Sequence, residues 1–515
     1  MLNLLKQILT SSSTKYILFL YILTVTIRIA GTDGGNFPYW FDLGRDAILS
    51  REILENGDLK IQGPSASGTN DTVFHGVLYY YLIGPLYTLF AGDPRTVMIG
   101  LVVFSSLAVI PVFILTKELT GKKAVAIVAG ILYAFSLETY RSGTWMSNPI
   151  LAAVSLPTFF LFYWLVFFKS QRKLLPLLFL CLGITHQSVV LFVPWWGLVA
   201  TGFWLEHTYN LKSWSSKLIA TSFVVYFVII ASMILVQTRM MIAGLFSLNS
   251  VFEYASWSST NTNTVVFGTL SLFLDKITQS IIPAFPILGV FVAIYLFVIL
   301  KKIGDKKQLI FILLFLTSPL WLLSVHYRNM YHSFLTIEVI IIISLAWVIV
   351  NLWQRRTTKF FAAGLLVLFL LTNVRGYYLE SAAAKAQYFV PQGAYLKHQL
   401  QAIDYTYQVA KGQPFSISSI TNPYGYNTLW AYLYSWYGQK KYGYVPTFYG
   451  PDQTGIFGGN LLSMTASPSA THFSIWESNQ GIPDHLYAKF DLDQTKIGTR
   501  SAITKFGSLR VDTYQ

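Results

Sequence analysis

The 515-residue sequence predicts a mainly α-helical polytopic membrane protein, with about 11 transmembrane helices and a small C-terminal extracytoplasmic α/β domain. Three observations predict it. Hydrophobic residues make up 54% of the chain and charged residues 12%, at a mean hydropathy of +0.50, whereas soluble domains carry about 25% charge. Apolar runs approaching the roughly 20 residues that cross a bilayer recur between residues 14 and 375. The stretch 376–515 is polar by comparison and mixes strand-like with helix-like patterns. The 14 Trp, 32 Tyr and 38 Phe exclude a disordered chain, and a lone cysteine, Cys181, excludes a disulfide scaffold. Cys181 sits in LLPLLFLCLG, as a small buried hydrophobe would.

In order, the spans are read at 14–30, 96–116, 124–139, 149–168, 174–185, 188–205, 218–237, 282–300, 308–325, 333–353 and 359–375. The first is read as a retained anchor, because no A-x-A-like cleavage site follows it. The run 75–92 is read as an interfacial helix with Pro85 inside. Leaving it out makes every second loop basic: Lys117, Lys122 and Lys123; Lys169, Arg172 and Lys173; Lys212 and Lys217; Lys301, Lys302, Lys306 and Lys307; Arg355, Arg356 and Lys359. The positive-inside rule then puts those loops and the N-terminus in the cytoplasm and the tail outside a plasma membrane. These loops account for much of the net charge of +14, so no nucleic-acid partner is expected. Outside lie a long first loop, 31–95, a middle loop, 238–281, rich in Ser, Asn and Thr, and the tail. Within the tail, PFSISSI, HFSIW and SLRVDTY read as strands, and 393–410 and 427–437 as helices.

A first loop of this length is too long for a connector. DLGRDAILSREILEN, from Asp42 to Asn56, has apolar residues at near-helical spacing, and Asn56-Gly57 is a stop signal. Asp42 and Asp46 fall one turn apart on one face. Spacing alone leaves two readings open: Asp42 as a helix cap with Asp46 a solvated charge, or the pair as acid–base chemistry.

FDLGRDAILSREILENGDL followed by FHGVLYYYLIGPLYTLFAGDP resembles the first outer loop of the GT-C superfamily, specifically its family 39-like transferases that use dolichyl- or undecaprenyl-phosphate sugars. Protein O-mannosyltransferases and lipid A aminoarabinose transferases are members. The resemblance covers about 31–175 and leaves the tail out. It puts Asp42 on the catalytic aspartate, Arg45 on the family arginine, and Ser50-Arg51-Glu52 and Gly57-Asp58 on the positions that follow. Leu43 stands where many members have Glu, and Phe74-His75-Gly76 where a Glu-Lys-Pro element would be, which leaves the acceptor and any divalent cation open. It implies a GT-C fold, a polyprenyl-phosphate-linked sugar donor, a protein, lipid or glycan acceptor, and inversion with an aspartate base. Asp42 and Asp46 are thus the expected catalytic pair, and Arg45, His75 and Tyr79 expected substrate contacts.

Six further candidates lie beyond this loop. In ETYRSGTWMSNPIL, Glu138 and Arg141 are read as lining the site and Trp145 and Asn148 as sugar contacts; the competing readings are an interface-belt Trp and an Asn that caps the next helix. His186, beside Gln187, is a pocket candidate or a structural polar residue. Arg328, in HYRNMYH, offers a fork that matches phosphate oxygens, or anchors at the headgroups. Arg28 and Glu338 fall in or near apolar runs and must face protein or water, since a mid-helix charge costs about 2.5–3.5 kcal/mol on insertion scales. Those two charges also admit a different class, a transporter or lipid flippase. Against it, the sequence shows no inverted repeat and no matched pair of broken helices.

Overall fold

The computed structural model describes residues 13–66, 72–189, 195–209, 214–245, 262–325, 334–383, 394–478 and 482–515. They form two compact units. Unit 1 comprises Met1–Ile29, Ile61–Tyr79 and Leu101–Tyr377, and unit 2 comprises Ala30–Lys60, Tyr80–Gly100 and Tyr378–Gln515.

Unit 1 is helical. Each apolar run read from the sequence carries helix where it is described. Among the described residues of the whole chain, six helices are long and apolar enough to cross a membrane: Thr14–Gly35, Pro94–Thr120, Ile150–Phe168, Pro286–Ile303, Leu335–Trp353 and Lys359–Leu379. Two bent pairs raise that to eight, Lys123–Phe135 with Leu137–Gly143 and Ser216–Ile229 with Ala231–Ile242, each turning by 65°. The bends correct the expectation of unbroken helices. Ser136 makes the first, with an extended backbone and a side chain that accepts from the Thr139 N–H, so one helix stops and a new one is capped. A second correction concerns the middle loop, where Thr262–Ile281 is a 20-residue helix. Its Ser and Thr content disguised a helical stripe: Thr269, Lys276, Ile277, Ser280 and Ile281 are buried, while Phe267, Leu270 and Leu274 are exposed. The Leu335–Trp353 helix is buried nearly all round and lies at the centre of the apolar core.

Unit 2 is built on a five-stranded mixed sheet. Its strands are β1 (Ser416–Ile420), β2 (Thr447–Phe448), β3 (His472–Trp476), β4 (Arg500–Phe506) and β5 (Leu509–Tyr514), in the order β2-β1-β3-β5-β4. β1 is parallel to β2 and β3, while β5 runs antiparallel to β3 and β4. All five residues of β1 and of β3 are buried, the pattern of central strands covered on both faces. The three strands read from the tail match β1, β3 and β5, and the two helices match Leu396–Ala410 and Thr428–Leu433 with its π-helical continuation to Gly438.

Residues 31–60 and 80–95 of the first loop are part of this unit, while 61–79 belong to unit 1. Phe41–Glu55 is a helix, ended by Asn56 and by Gly57 at φ +71°. Leu78–Leu89 is a second, of 12 residues with Pro85 inside, too short to span. The Phe41–Glu55 helix lies on the tail at Gly44, where an added Cβ would come within 3.2 Å of the Leu429 Cα. Gln399 donates to the Tyr39 carbonyl (2.7 Å), Tyr432 donates to the Gly92 carbonyl (2.6 Å), and the Phe41 and Tyr426 rings meet edge to face at 5.6 Å.

Candidate active site

The Phe41–Glu55 helix begins after Trp40, whose backbone is extended and makes no side-chain cap. Asp42 is therefore inside the first turn and is not the cap, a correction to that reading; there it still sits among the free N–H groups of a helix start. The i, i+3, i+4 spacing brings Asp42, Arg45 and Asp46 together. Arg45 Nη1 pairs with Asp42 Oδ1 at 2.8 Å, while its Nε and Nη2 donate to Asp46 Oδ1 at 2.9 and 2.8 Å. Trp40 Nε1 donates to the other oxygen of Asp42 at 3.0 Å. One guanidinium thus holds two carboxylates in a fixed fork.

The two carboxylates differ in exposure. The Asp42 side chain is 44% exposed and that of Asp46 1%. Burial pushes the Asp46 carboxyl up to about 6, with Asp42 adding to the rise and Arg45 opposing it. Burial alone would lower the Arg45 guanidinium, but the Asp46 and Asp42 charges carry it above its ordinary value. The Tyr80 hydroxyl stands beside Asp46 and is raised well above the usual phenol, first by its own burial and then by that carboxylate. Trp40 and Tyr80 escaped the sequence reading. Tyr80 follows Tyr79, the expected contact, in a run of three tyrosines, and no sequence signal picks out one ring among them.

The remaining candidates are in unit 1. Glu138 and Arg141 form a buried ion pair on the short helix after the Ser136 bend, and Lys276 pairs with the same carboxylate. Ser142 donates to Glu338 at 2.9 Å. Arg28 donates to Ser105 (3.0 Å) and to the Thr139 carbonyl (2.8 Å), so both suspected intramembrane charges face protein. Lys276 was missed because its helix had been read as a loop. Asn148 caps nothing: it donates to the Ser188 carbonyl, and Ser188 returns a bond to the Asn148 carbonyl at 2.8 Å. His186 Nδ1 meets the Tyr226 hydroxyl at 2.7 Å, and Gln187 donates to the Ile229 carbonyl. The amide of His75, whose side chain is half-buried, donates to Pro64 O at 2.9 Å, and Tyr79 is buried. Arg328 lies outside the described residues. The Asp42–Asp46 pair does not fit a cation site: Arg45 already occupies both carboxylates, and among the described residues no group of three His, Cys, Asp or Glu side chains is arranged to hold a metal.

No protein-family model and no curated protein matches the chain. Among solved structures, ArnT from Cupriavidus metallidurans bound to undecaprenyl phosphate superposes with a TM-score of 0.53 at 13% identity, covering 98% of each chain. The chain has the GT-C fold. The archaeal oligosaccharyltransferase AglB from Archaeoglobus fulgidus, in complex with an inhibitory peptide and a dolichol-phosphate, matches 90% of this chain and 70% of its own at 12% identity and a TM-score of 0.44. The GT-C match takes in unit 2 as well as unit 1, and so extends over the tail, which the sequence motifs had left out.

Proposed function

We propose that this protein is an integral membrane glycosyltransferase that moves a sugar from a polyprenyl-phosphate donor to an acceptor hydroxyl on the outer face of the membrane. The observation that carries this reading is the exposed Asp42 carboxylate, fixed by Arg45 and Trp40 at the start of the Phe41–Glu55 helix in a GT-C fold. The donor's lipid occupies the bilayer and its sugar phosphate projects from it. As the acceptor oxygen bonds to the anomeric carbon, the bond from that carbon to the phosphate oxygen breaks, and the phosphate leaves with the electron pair. A phosphate leaves as a stable anion and needs no strong acid, so the required group is a base for the acceptor proton. Asp42 takes that role because Asp46 is buried from any acceptor. Attack opposite the departing phosphate inverts the anomeric centre. Arg328 is the cation proposed for the donor phosphate, since Arg45 is engaged by Asp42 and Asp46.

A transporter or flippase is the second reading, and the two bent helices and the buried charges of unit 1 favour it. One assay separates them. Membranes carrying the protein are given a panel of undecaprenyl-phosphate sugars labelled in the sugar. Covalent transfer that disappears in Asp42→Asn supports the transferase. Movement of intact donor across the bilayer, with no transfer and no effect of Asp42→Asn, overturns it.

A further inference from the structure

Two loops of unit 2 border the Phe41–Glu55 helix, one beside Asp42 and one further along at Ile48. Loop 421–427 brings Tyr426 edge to face with Phe41, the residue before Asp42, and Trp40 bonds Asp42 from the other side. Loop 451–459 reaches the same helix at Gly458, where an added Cβ would come within 2.7 Å of the Ile48 side chain. The loops carry three large exposed rings: Tyr424 at 36%, Tyr426 at 41% and Phe457 at 44%.

The backbone that carries these rings is tied by hydrogen bonds. Buried Gln453 ties the loops together, accepting from the Asn427 N–H at 2.8 Å and donating to the carbonyls of Gly425 (3.0 Å) and Pro451 (2.9 Å). Thr421 donates to the Tyr426 carbonyl at 2.6 Å, Ser419 donates to Asn427 at 3.0 Å, and buried Glu477 accepts from the Asn422 N–H at 3.2 Å. A ring carried on a fixed backbone loses little entropy when it receives a ligand.

The chemistry of the rim narrows the ligand. TNPYGYN (421–427) and PDQTGIFGG (451–459) contain no Lys or Arg, and Arg45 is committed to two carboxylates. An anionic acceptor such as a phosphate would meet aspartates and rings with no free cation from these loops. The loop carbonyls at Gly425, Tyr426 and Pro451 are already bonded within the rim, which leaves those acceptors closed to an extended peptide. A neutral polyol suits the rim: its C–H face stacks on rings, and its hydroxyls reach a carboxylate.

We propose that the acceptor is a saccharide, seated by its apolar face on the Tyr426–Phe41–Trp40 rim with the attacking hydroxyl at Asp42. This rests on Asp42 as the base, and the experiment keeps the two claims apart. Full-length protein in membranes is supplied with the labelled undecaprenyl-phosphate sugars, and the product is fractionated. Label is expected in a glycan that resists protease and lipid extraction and yields to glycosidase. Tyr426→Ala should raise the KM for the isolated glycan about tenfold, the worth of one lost ring contact, with no matching change in donor KM. Tyr426→Phe, which keeps the ring, should restore most of that affinity. If Tyr426→Ala fails to accumulate, Tyr426→Leu, which keeps bulk without the aromatic face, tests the same rim by the same KM comparison. Label in protein or in a lipid phosphate overturns the proposal and leaves the transferase reading standing; so does an alanine variant that shifts donor KM alone, as rings resting on the membrane would. Absence of transfer by the unaltered protein overturns the transferase reading itself.

Discussion

One guanidinium serves two carboxylates on the Phe41–Glu55 helix and leaves them in different surroundings, Asp42 open to solvent and Asp46 closed from it. Asp42→Asn keeps the shape and the bond from Trp40 but removes the basicity, so labelled-sugar transfer should fall about 10²–10⁴-fold, the range for a positioned base. Asp46→Asn should be milder at neutral pH and should change the pH profile. Asp46 protonates as pH falls through about 6, because burial holds its carboxyl there. One of the two anchors of Arg45 then weakens, so transfer by the unaltered protein should decline below about pH 6, and Asp46→Asn should erase that inflection. Transfer rates from pH 5 to 8 check both outcomes. This triad was legible in the sequence because DLGRD carries its own geometry: i, i+3 and i+4 meet on any helix. Trp40 and Tyr80 were not legible, since Trp40 precedes the helix and Tyr80 arrives from another segment.

Apolar runs gave the helices of unit 1, but no composition window registers their bends, at Ser136, where a side-chain cap restarts the helix, and at Ile230. Thr262–Ile281 was missed for the opposite reason, its polar residues serving a buried face instead of a loop. In unit 2 the alternating and β-branched pieces of the tail identified β1, β3 and β5, whereas β2, two residues long, carries too little pattern to find. Two predictions belong at this scale. The close approach of the Phe41–Glu55 helix to Leu429 depends on Gly44, so Gly44→Val should force the helix off the tail and cost about 1–3 kcal/mol by thermal melting, as overpacking does. Glu477 accepts from Trp430 Nε1 (3.1 Å) and the Asn422 N–H in a buried site, and burial raises its carboxyl to about 7. An acid whose folded value lies above its unfolded one, near 4.3 for Glu, contributes stability that is complete below the unfolded value and is lost as pH rises through the folded one. Melting temperature should therefore drop between about pH 4.5 and 7, and Glu477→Gln should flatten that slope.

At the scale of the whole molecule, the alternating basic loops predict that the tail is outside. Protease added to intact cells should remove it, and a tail cut only in inverted vesicles would contradict that orientation. Deleting 385–515 should abolish transfer even though Asp42 remains, because Leu429, Tyr426 and Tyr432 support the first-loop segments from within unit 2. Labelled transfer by an accumulated truncated protein checks it. That unit is assembled from three stretches of chain, 30–60, 80–100 and 378–515, with consequences for biosynthesis. At about 5–20 residues per second of translation, the segment bearing Asp42 waits tens of seconds for the strands that complete its support. Throughout that interval the nascent protein holds its proposed catalytic residue, with Trp40 and Arg45 beside it, on a helix whose packing partner at Leu429 has yet to be made. On the proposed function, a chain truncated before β5 (Leu509–Tyr514) should insert in the membrane yet transfer no sugar, because the unit that includes the Phe41–Glu55 helix is incomplete.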